Sequence, residues 1–292
     1  MTPSDEEIKK LVEKAKMIRE TVIRMLVSAG SGHTAGSLGM ADIFTAFYFH
    51  ILNHHPEQPE WEGRDRLILS NGHICPVQYV AMAHAGYFPV HECLTLRKFG
   101  SRLQGHPERS RLPGIETTSG PLGEGLSQAA GMAYAFRNLG DFVNPQHNYN
   151  WGFTKSPNSQ RVYCIMSDAE QQEGSVWEAV IFAGKYKLSN LTAVIDRNNI
   201  QIGGTTEDVM PLEPLADKYR SFNWNVIEVN GNDIRAFISV VEDAKMVTDK
   251  PTVIIAHTIP GKGVKEIEND YRWHGKVPTE EEGERFLKYL KI

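Results

Sequence analysis

Short apolar runs alternate with helical stretches after residue 160, and this order constrains the fold more than any other feature of the sequence. The predicted strands are rich in β-branched residues and comprise the runs RVYCIMS, LTAVIDR, WNVIEV and PTVIIAH. Helical periodicity between the runs predicts helices over residues 176–186, 212–219 and 234–246. Because strands that are joined through helices pair in parallel, the pattern predicts an α/β fold with a mostly parallel sheet and helices on both faces.

The first 160 residues predict a less regular region of helices and loops. An amphipathic stripe from residue 5 to about residue 28 predicts a helix that ends at the glycine-rich SAGSGHTAGSLG. A short strand is predicted at RLILS, helices are predicted after NGH and at GLSQAAGMAYAFRNL, and the polar segment 141–160 predicts a surface excursion. We therefore expect a single domain over residues 1–292, with a helical and loop region at 1–160 and a regular α/β region at 161–292.

The overall composition excludes several classes of protein. With 41% hydrophobic residues the chain can bury a large core, and its net charge of −5, with both signs interspersed, argues against a nucleic-acid partner. The widely spaced Cys75, Cys93 and Cys164 do not predict a disulfide framework or a zinc finger. The charged N-terminus lacks the apolar core of a signal peptide, and no segment approaches the roughly 20 apolar residues that span a bilayer. We expect a cytoplasmic protein with no membrane partner.

Polar side chains follow two of the predicted strands at the point where each strand ends. Asp168 comes directly after the first run, and Asn198 follows the second. Because the carboxyl ends of neighbouring parallel strands meet at one edge of a sheet, we expect these two side chains to lie close together. A carboxylate and an amide oxygen suit Mg²⁺ that is shared with phosphate oxygens, and the N-terminus of the helix that follows favours an anion. These residues alone leave a second interpretation open, in which Asp168 caps that helix and Asn198 belongs to a turn.

The segment from SDAEQQEG to RNNIQIGG resembles the thiamine diphosphate motif of transketolases, which begins with Gly-Asp-Gly, continues with Gln-Glu-Gly and ends near Asn-Asn. Five further blocks resemble transketolases in the order of the family: SGHTAGSLGMADIF, DRLILSNGHICPVQY, QGHPE, ETTSGPLGEGLSQAAGMA and WHGKVP. The blocks extend from residue 31 to residue 278. The resemblance implies the thiamine diphosphate-binding fold, with this chain as the diphosphate-binding domain.

The resemblance also implies a set of site residues. Mg²⁺, with Ca²⁺ or Mn²⁺ as substitutes, would be held by the side chains of Asp168 and Asn198 and by the backbone carbonyl of Ile200. The residues implied to contact the cofactor as well are His73, Gly120, Pro121, Leu122, Ala169, Glu173 and His274. The implied catalytic residues are His33 and His106, which would bond the sugar hydroxyls, His73 and His274, which would lie against the diphosphate and the reaction centre, and Glu173, which would lie at a subunit interface.

The sequence departs from the family in one motif and lacks two of its domains. Ser167-Asp168-Ala169 stands where the family has Gly-Asp-Gly, so we expect a negative φ at Ala169. The family's pyrimidine-binding and C-terminal domains do not fit after GERFLKYLKI. The resemblance therefore implies the N-terminal subunit of a split transketolase, active only with a C-terminal subunit that carries both domains, in an α2β2 heterotetramer.

The expected reaction is the transfer of a two-carbon ketol (glycolaldehyde) unit from a ketose to an aldose, in carbohydrate metabolism of the pentose phosphate type. Three alternatives stay open: the α-subunit of a thiamine-dependent 2-oxo acid dehydrogenase, a deoxyxylulose phosphate synthase-like enzyme, and a non-catalytic partner that retains the fold. The blocks NGH, QGHPE and QEG count against the dehydrogenase. The identity of the two sugars, and whether they are phosphorylated, is left open by the sequence.

Overall fold

The structure is a computed structural model that describes residues 3–138 and 160–291. Its strands are β1 (Arg66–Leu69), β2 (Val162–Ser167), β3 (Leu191–Arg197), β4 (Ile200–Gln201), β5 (Gly204–Thr205), β6 (Asn225–Asn230) and β7 (Thr252–His257). Five of them form one sheet in the order β1-β2-β3-β7-β6, and all four neighbouring pairs are parallel. Strands β4 and β5 form a separate antiparallel hairpin after β3.

The helices are α1 (Asp5–Ala29), α2 (Thr34–Gly39), α3 (Ala41–Ala46), α4 (Cys75–Ala85), α5 (Gly125–Asn138), α6 (Gly174–Lys185), α7 (Thr206–Val209), α8 (Leu215–Ser221), α9 (Ile234–Met246) and α10 (Glu280–Tyr289). The predicted α/β fold with a mostly parallel sheet is confirmed. The helix predicted at 212–219 begins only at Leu215, because the residue before Pro214 is driven out of the helical conformation. The surface excursion predicted at 141–160 lies outside the described residues, apart from Gln160.

The first helix shows how local sequence sets the ends of an element. Ser4 and Glu7 form a reciprocal capping box at its start. At its end Gly30 takes the left-handed conformation with φ of 64°, and its N–H donates to the carbonyl of Leu26. The helix therefore ends at the glycine-rich loop that contains His33.

The sheet is covered on both faces, which explains why its strands read as continuous apolar runs. Successive residues of a strand point to opposite faces, so Tyr163 belongs to one cluster of buried side chains and Cys164 to the other. Side chains from α1, α3, α4 and α9 belong to the first cluster, and side chains from α5, α6 and α8 belong to the second. The three cysteines are buried and unpaired. None of the described helices is both long and apolar enough to cross a membrane.

Candidate functional site

The carboxyl ends of β2 and β3 lie side by side at one edge of the sheet. Ser167 is paired in register with Asp196, and the N–H of Asp168 donates to the carbonyl of Asp196 at 3.1 Å. The residues that follow these strands therefore reach the same place. This arrangement brings Asp168 and Asn198 to neighbouring strand ends, as the alternation of strands and helices predicts.

Asp168 is fully buried, and its carboxylate accepts three hydrogen bonds. Its Oδ1 accepts from the N–H of Ala169 at 2.7 Å, while its Oδ2 accepts from the N–H of Asn199 at 2.7 Å and from Arg197 at 3.1 Å. Burial raises the pKa of this carboxyl, against the opposing effect of the Asn199 amide and the Arg197 charge. A carboxylate offers about four lone-pair positions, so one remains for a further ligand. Asp168 also caps the 3₁₀ turn Ala169–Gln172, so the capping role considered from the sequence exists as well.

Asn198 is held in a fixed orientation by two hydrogen bonds. Its Nδ2 donates to Oδ2 of Asp196 at 2.7 Å, and its Oδ1 accepts from the N–H of Ile200 at 3.0 Å. The hydroxyl of Thr258 also donates to Asp196, and burial raises the pKa of that aspartate to about 7. The carbonyl oxygen of Asn198 keeps one lone pair for a further ligand.

The donor set at the strand ends suits a metal ion that shares its ligands with a phosphate group. Among residues 3–138 and 160–291, no cluster of three or more His, Cys, Asp or Glu side chains is arranged to hold a metal. The open positions on Asp168 and Asn198 supply one carboxylate and one amide oxygen. Mg²⁺ is commonly bound by one or two carboxylates together with phosphate oxygens. These residues therefore fit Mg²⁺ that binds with a diphosphate.

Three of the four predicted histidines meet in one cluster. His33 lies at the start of α2, His73 lies in a 3₁₀ turn after β1, and His274 follows the turn Tyr271–Trp273. The ring centroids are 4.9 Å apart for His33 and His73, 5.4 Å for His33 and His274, and 5.1 Å for His73 and His274. Burial lowers the pKa of His33 to about 4, aided by the charge of Arg97 and by the charges that His274 and His106 carry when they are protonated. Burial also lowers the pKa of His73 and His274, so all three rings are neutral at physiological pH and each can donate one hydrogen bond and accept another.

Several buried polar atoms beside this cluster have no hydrogen-bond partner within the described residues. They are Nδ1 of His33, both side-chain polar atoms of Asn71 and Oγ of Ser119. Asn71 precedes Gly72 in the chain, and Ser119 lies close to Gly72, where an added Cβ would come within 2.4 Å of the Ser119 hydroxyl. Because buried polar groups are normally paired, these atoms fit a polar ligand. Asn71 and Ser119 were not identified from the sequence, since a single Asn or Ser in a loop carries no pattern.

The fourth histidine, His106, lies at a cavity of about 510 Å³ that Arg97, Gln104 and Ser119 also line. Its side chain is exposed, and partial burial together with the charge of Arg97 lowers its pKa. Arg97 has a φ of 59°, and its guanidinium contacts the Ser31 hydroxyl and the Gly105 carbonyl at 3.4 Å each. The structure thus places an arginine that sequence reasoning missed beside two of the predicted substrate-contacting histidines.

The glycine-rich loop at 120–125 is anchored to the strand ends by Glu170. This buried carboxylate accepts from the N–H of Gly123 at 2.6 Å and from the hydroxyl of Ser70, which itself accepts from the N–H of Gly125 at 3.0 Å. Only glycine fits at position 125, because an added Cβ would lie 2.4 Å from the Cβ of Ser70. This loop contains three of the residues that are predicted to contact the cofactor. Gly120 and Leu122 are half-buried, and Pro121 is exposed.

The remaining predicted residues lie around Asp168. Ala169 lies in the 3₁₀ turn and is not among the residues with positive φ, in agreement with the expectation for a residue with a Cβ. Ile200 is buried at the start of β4. Glu173 is exposed at the start of α6, beside the glycine-rich loop, and Glu178 is exposed on the same helix.

The sequence matches the family described as "Transketolase, thiamine diphosphate binding domain" over residues 10–289. It is 39% identical over 271 residues to the 6-deoxy-6-sulfo-D-fructose transketolase subunit SqwG of Clostridium sp. (strain MSTE9), covering 93% of this chain and 92% of that one. It is 36% identical over 283 residues to an apulose-4-phosphate transketolase subunit of Phocaeicola vulgatus, covering 97% of this chain and 94% of that one.

Solved structures give the same assignment of the fold. The transketolase from Leishmania mexicana superposes on 99% of this chain with a TM-score of 0.86 and 29% sequence identity. The chain covers 42% of that transketolase, so it spans about two fifths of the longer enzyme. It also spans 44% of the human transketolase-like protein 2, with 35% identity.

Proposed function

The chain belongs to the transketolase family, and from this we propose that it is the N-terminal subunit of a two-component transketolase, which transfers a two-carbon ketol unit from a ketose to an aldose. One observation carries the proposal. The chain matches relatives named as transketolase subunits over 92% and 94% of their length, but it spans only 42% of the transketolase from Leishmania mexicana. The histidine blocks and the family match support this function over the 2-oxo acid dehydrogenase and synthase alternatives.

In this proposal the strand ends hold thiamine diphosphate and Mg²⁺. Asp168, Asn198 and the carbonyl of Ile200 ligate the metal, and Ala169 with Gly120, Pro121 and Leu122 contacts the cofactor. When bound, thiamine diphosphate supplies the carbanion chemistry that breaks and forms the carbon–carbon bond of ketol transfer. The open lone pairs on Asp168 and Asn198 support the metal assignment.

The histidines orient the substrate and move its protons. His33 and His106 donate to and accept from the sugar hydroxyls, while His73 and His274 lie against the diphosphate and the reaction centre. The lowered pKa values of all four support proton handling, since a neutral imidazole can accept a hydroxyl proton and return it. The unpartnered Nδ1 of His33 supports its assignment to a polar ligand.

The rest of the proposed enzyme comes from a C-terminal subunit that carries the pyrimidine-binding and C-terminal domains, in an α2β2 heterotetramer with Glu173 at the subunit contact. The exposure of Glu173, Glu178 and Ile181 on α6 supports a contact surface there. We also propose that residues 1–292 form one diphosphate-binding domain, with β1 from the first region pairing with β2 from the second, and that the enzyme works in the cytoplasm on pentose phosphate-type sugars.

A ketol transfer assay on the purified chain tests the proposal, after mass spectrometry has excluded a co-purified subunit. The chain alone is expected to show no turnover at saturating thiamine diphosphate and Mg²⁺, and addition of the C-terminal subunit is expected to restore it. The assembly with Asp168→Ala serves as the inactive control. Turnover by the chain alone at a rate normal for an enzyme, or no turnover by the complete assembly with any ketose and aldose, would refute the proposal.

A further inference from the structure

Arg197, the last residue of β3, links Asp168 to the segment that follows the hairpin β4–β5. Its side chain is 4% exposed. On one side Nη1 donates to Oδ2 of Asp168 at 3.1 Å and to Oγ1 of Thr206 at 2.7 Å. On the other side Nη2 donates to Glu207 at 2.6 Å and to Glu213 at 3.0 Å. One planar guanidinium therefore joins the end of β2 to α7 and to the chain before α8.

In the segment from Asn199 to Glu213, buried apolar side chains lie only near the two ends, at Ile200 and Leu212. Between them Ile202, Val209 and Met210 are 77%, 47% and 57% exposed. A segment with few buried apolar contacts depends on its polar contacts for order.

Glu207 and Glu213 each bind a backbone N–H as well as Arg197, so they connect the guanidinium to the backbone. Glu207 accepts from the N–H of Leu212 at 3.2 Å, and Glu213 accepts from the N–H of Leu215 at 2.9 Å. Loss of the guanidinium would leave both carboxylates, and Asp168, without their shared cation.

We propose that Arg197 is a positioning residue that fixes the orientation of Asp168 and fastens the hairpin β4–β5 and α7 to it. The oxygen atoms of Asp168, at the end of β2, and of Ile200, in the hairpin that α7 follows, are thereby presented together to Mg²⁺ and the diphosphate. This inference rests on the proposed function. Lysine cannot replace the arginine fully, because an ammonium group lacks the planar fork that contacts both sides at once.

If charge alone mattered, removal of Arg197 would tighten metal binding, because a cation beside Asp168 repels Mg²⁺. When all groups are ionised, the guanidinium of Arg197 contacts three carboxylates, so these four side chains together carry two excess negative charges before Arg197 is removed. The positioning role instead predicts weaker metal binding when the guanidinium is lost. The sign of the change therefore distinguishes the two explanations.

Hydrogen exchange of the full-length chain without cofactor tests the structural part of the proposal. Arg197→Gln is expected to speed exchange of the amides at 199–213 by roughly tenfold or more. Glu213→Gln removes the ion pair between Arg197 and Glu213 and leaves the contact between Arg197 and Asp168 in place. Because the Glu213 side chain is 59% exposed, this test does not depend on a substitution in the interior. The variant is expected to speed exchange at 206–213. The matched control is Arg19→Gln, which breaks the other buried Arg–Asp pair, with Asp42, away from the strand ends.

Titration of Mg²⁺ into the complete assembly with saturating thiamine diphosphate tests the functional part. Arg197→Gln is expected to weaken Mg²⁺ binding by roughly tenfold or more, Arg197→Lys to recover part of the loss, and Arg19→Gln to bind as the wild type does. Unchanged or tighter Mg²⁺ binding in Arg197→Gln overturns the inference, as does unchanged exchange at 199–213 in both Arg197→Gln and Glu213→Gln. Failure of the wild-type assembly to bind the cofactor and metal would instead contradict the proposed function.

Discussion

The low pKa of His33 makes the stability of the chain depend on pH in a defined direction. Burial, with the neighbouring His274, Arg97 and His106, lowers this pKa to about 4, from 6.5 in the unfolded chain. As the pH falls below 6.5, the unfolded chain takes up a proton on His33 that the folded chain does not take up until the pH nears 4. The folded state is therefore increasingly disfavoured by His33 between these two values.

The size of the effect follows from the two pKa values. At about pH 5 the difference corresponds to a loss of ~2 kcal/mol in the free energy of unfolding, and the complete shift corresponds to ~3 kcal/mol. Replacing His33 with Gln keeps a polar side chain but removes the titrating group. His73 and His274 also have lowered pKa values, so the variant should still lose some stability in acid, but less than the wild type does.

Urea unfolding at about pH 7.5 and about pH 5 measures the difference, and His33→Gln is expected to lose ~2 kcal/mol less than the wild type over this interval. Comparing each protein with itself at the two pH values removes any effect of the substitution that does not depend on pH. His91→Gln is a control for the loss of an exposed histidine, and it should follow the wild type. An equal loss of stability in the wild type and in His33→Gln would refute the reasoning.

Five further substitutions test the site and the packing that supports it. Asp168→Ala should weaken cofactor binding to the assembly about a hundredfold, because the metal would lose an anionic protein ligand. Calorimetric titration with thiamine diphosphate and Mg²⁺ measures the change, and unchanged affinity would remove Asp168 from the ligand set. His106→Ala should raise the barrier for sugar turnover by roughly 2 to 4 kcal/mol with little change in cofactor affinity, whereas His73→Ala should lower both the turnover and the cofactor affinity. Steady-state kinetics measures the turnover and titration measures the affinity, and equal effects of the two substitutions would contradict the assigned roles. Gly184→Ala should destabilise the chain by about 1 to 3 kcal/mol, because its Cβ would lie 2.0 Å from the carbonyl oxygen of Phe222. Gly131→Ala in α5 should stabilise it by about 1 kcal/mol, because none of the described residues lies within 4 Å of the added Cβ. Chemical denaturation that ranked the two glycines in the reverse order would contradict the packing.

The fold could be predicted because its main signal is local. Strand β3 is an unbroken run of seven buried residues, and α6, which precedes it, shows helical periodicity within the sequence. The position of Asp168 and Asn198 at adjacent strand ends needed only the rule that sequential strands joined by a helix lie parallel, together with the finding that β2 and β3 are neighbours.

The rest of the site could not be predicted because it depends on contacts between distant loops. Ser119 approaches Gly72 from a distant loop, and Arg97, which lines a cavity with His106, has a left-handed backbone conformation that the sequence does not predict. In the sequence Arg197 is only the last residue of a predicted strand, and its partners Glu207 and Glu213 lie in a segment with weak periodicity. Only the folded chain brings such residues together.

The order of the strands also determines when the sheet can be completed during synthesis. Strands β1, β2 and β3 leave the ribosome in the order in which they pair, but β6 emerges before β7, which lies between β3 and β6. Until β7 appears, one edge of β3 and the whole of β6 lack a partner, and unpaired edges are sites where nascent chains associate. A chaperone that covers strand edges would therefore act on this chain between the synthesis of β3 and β7. Translation that stalls in this interval would yield a product prone to aggregation, whereas stalling after β7 would release a chain with every strand of the sheet present.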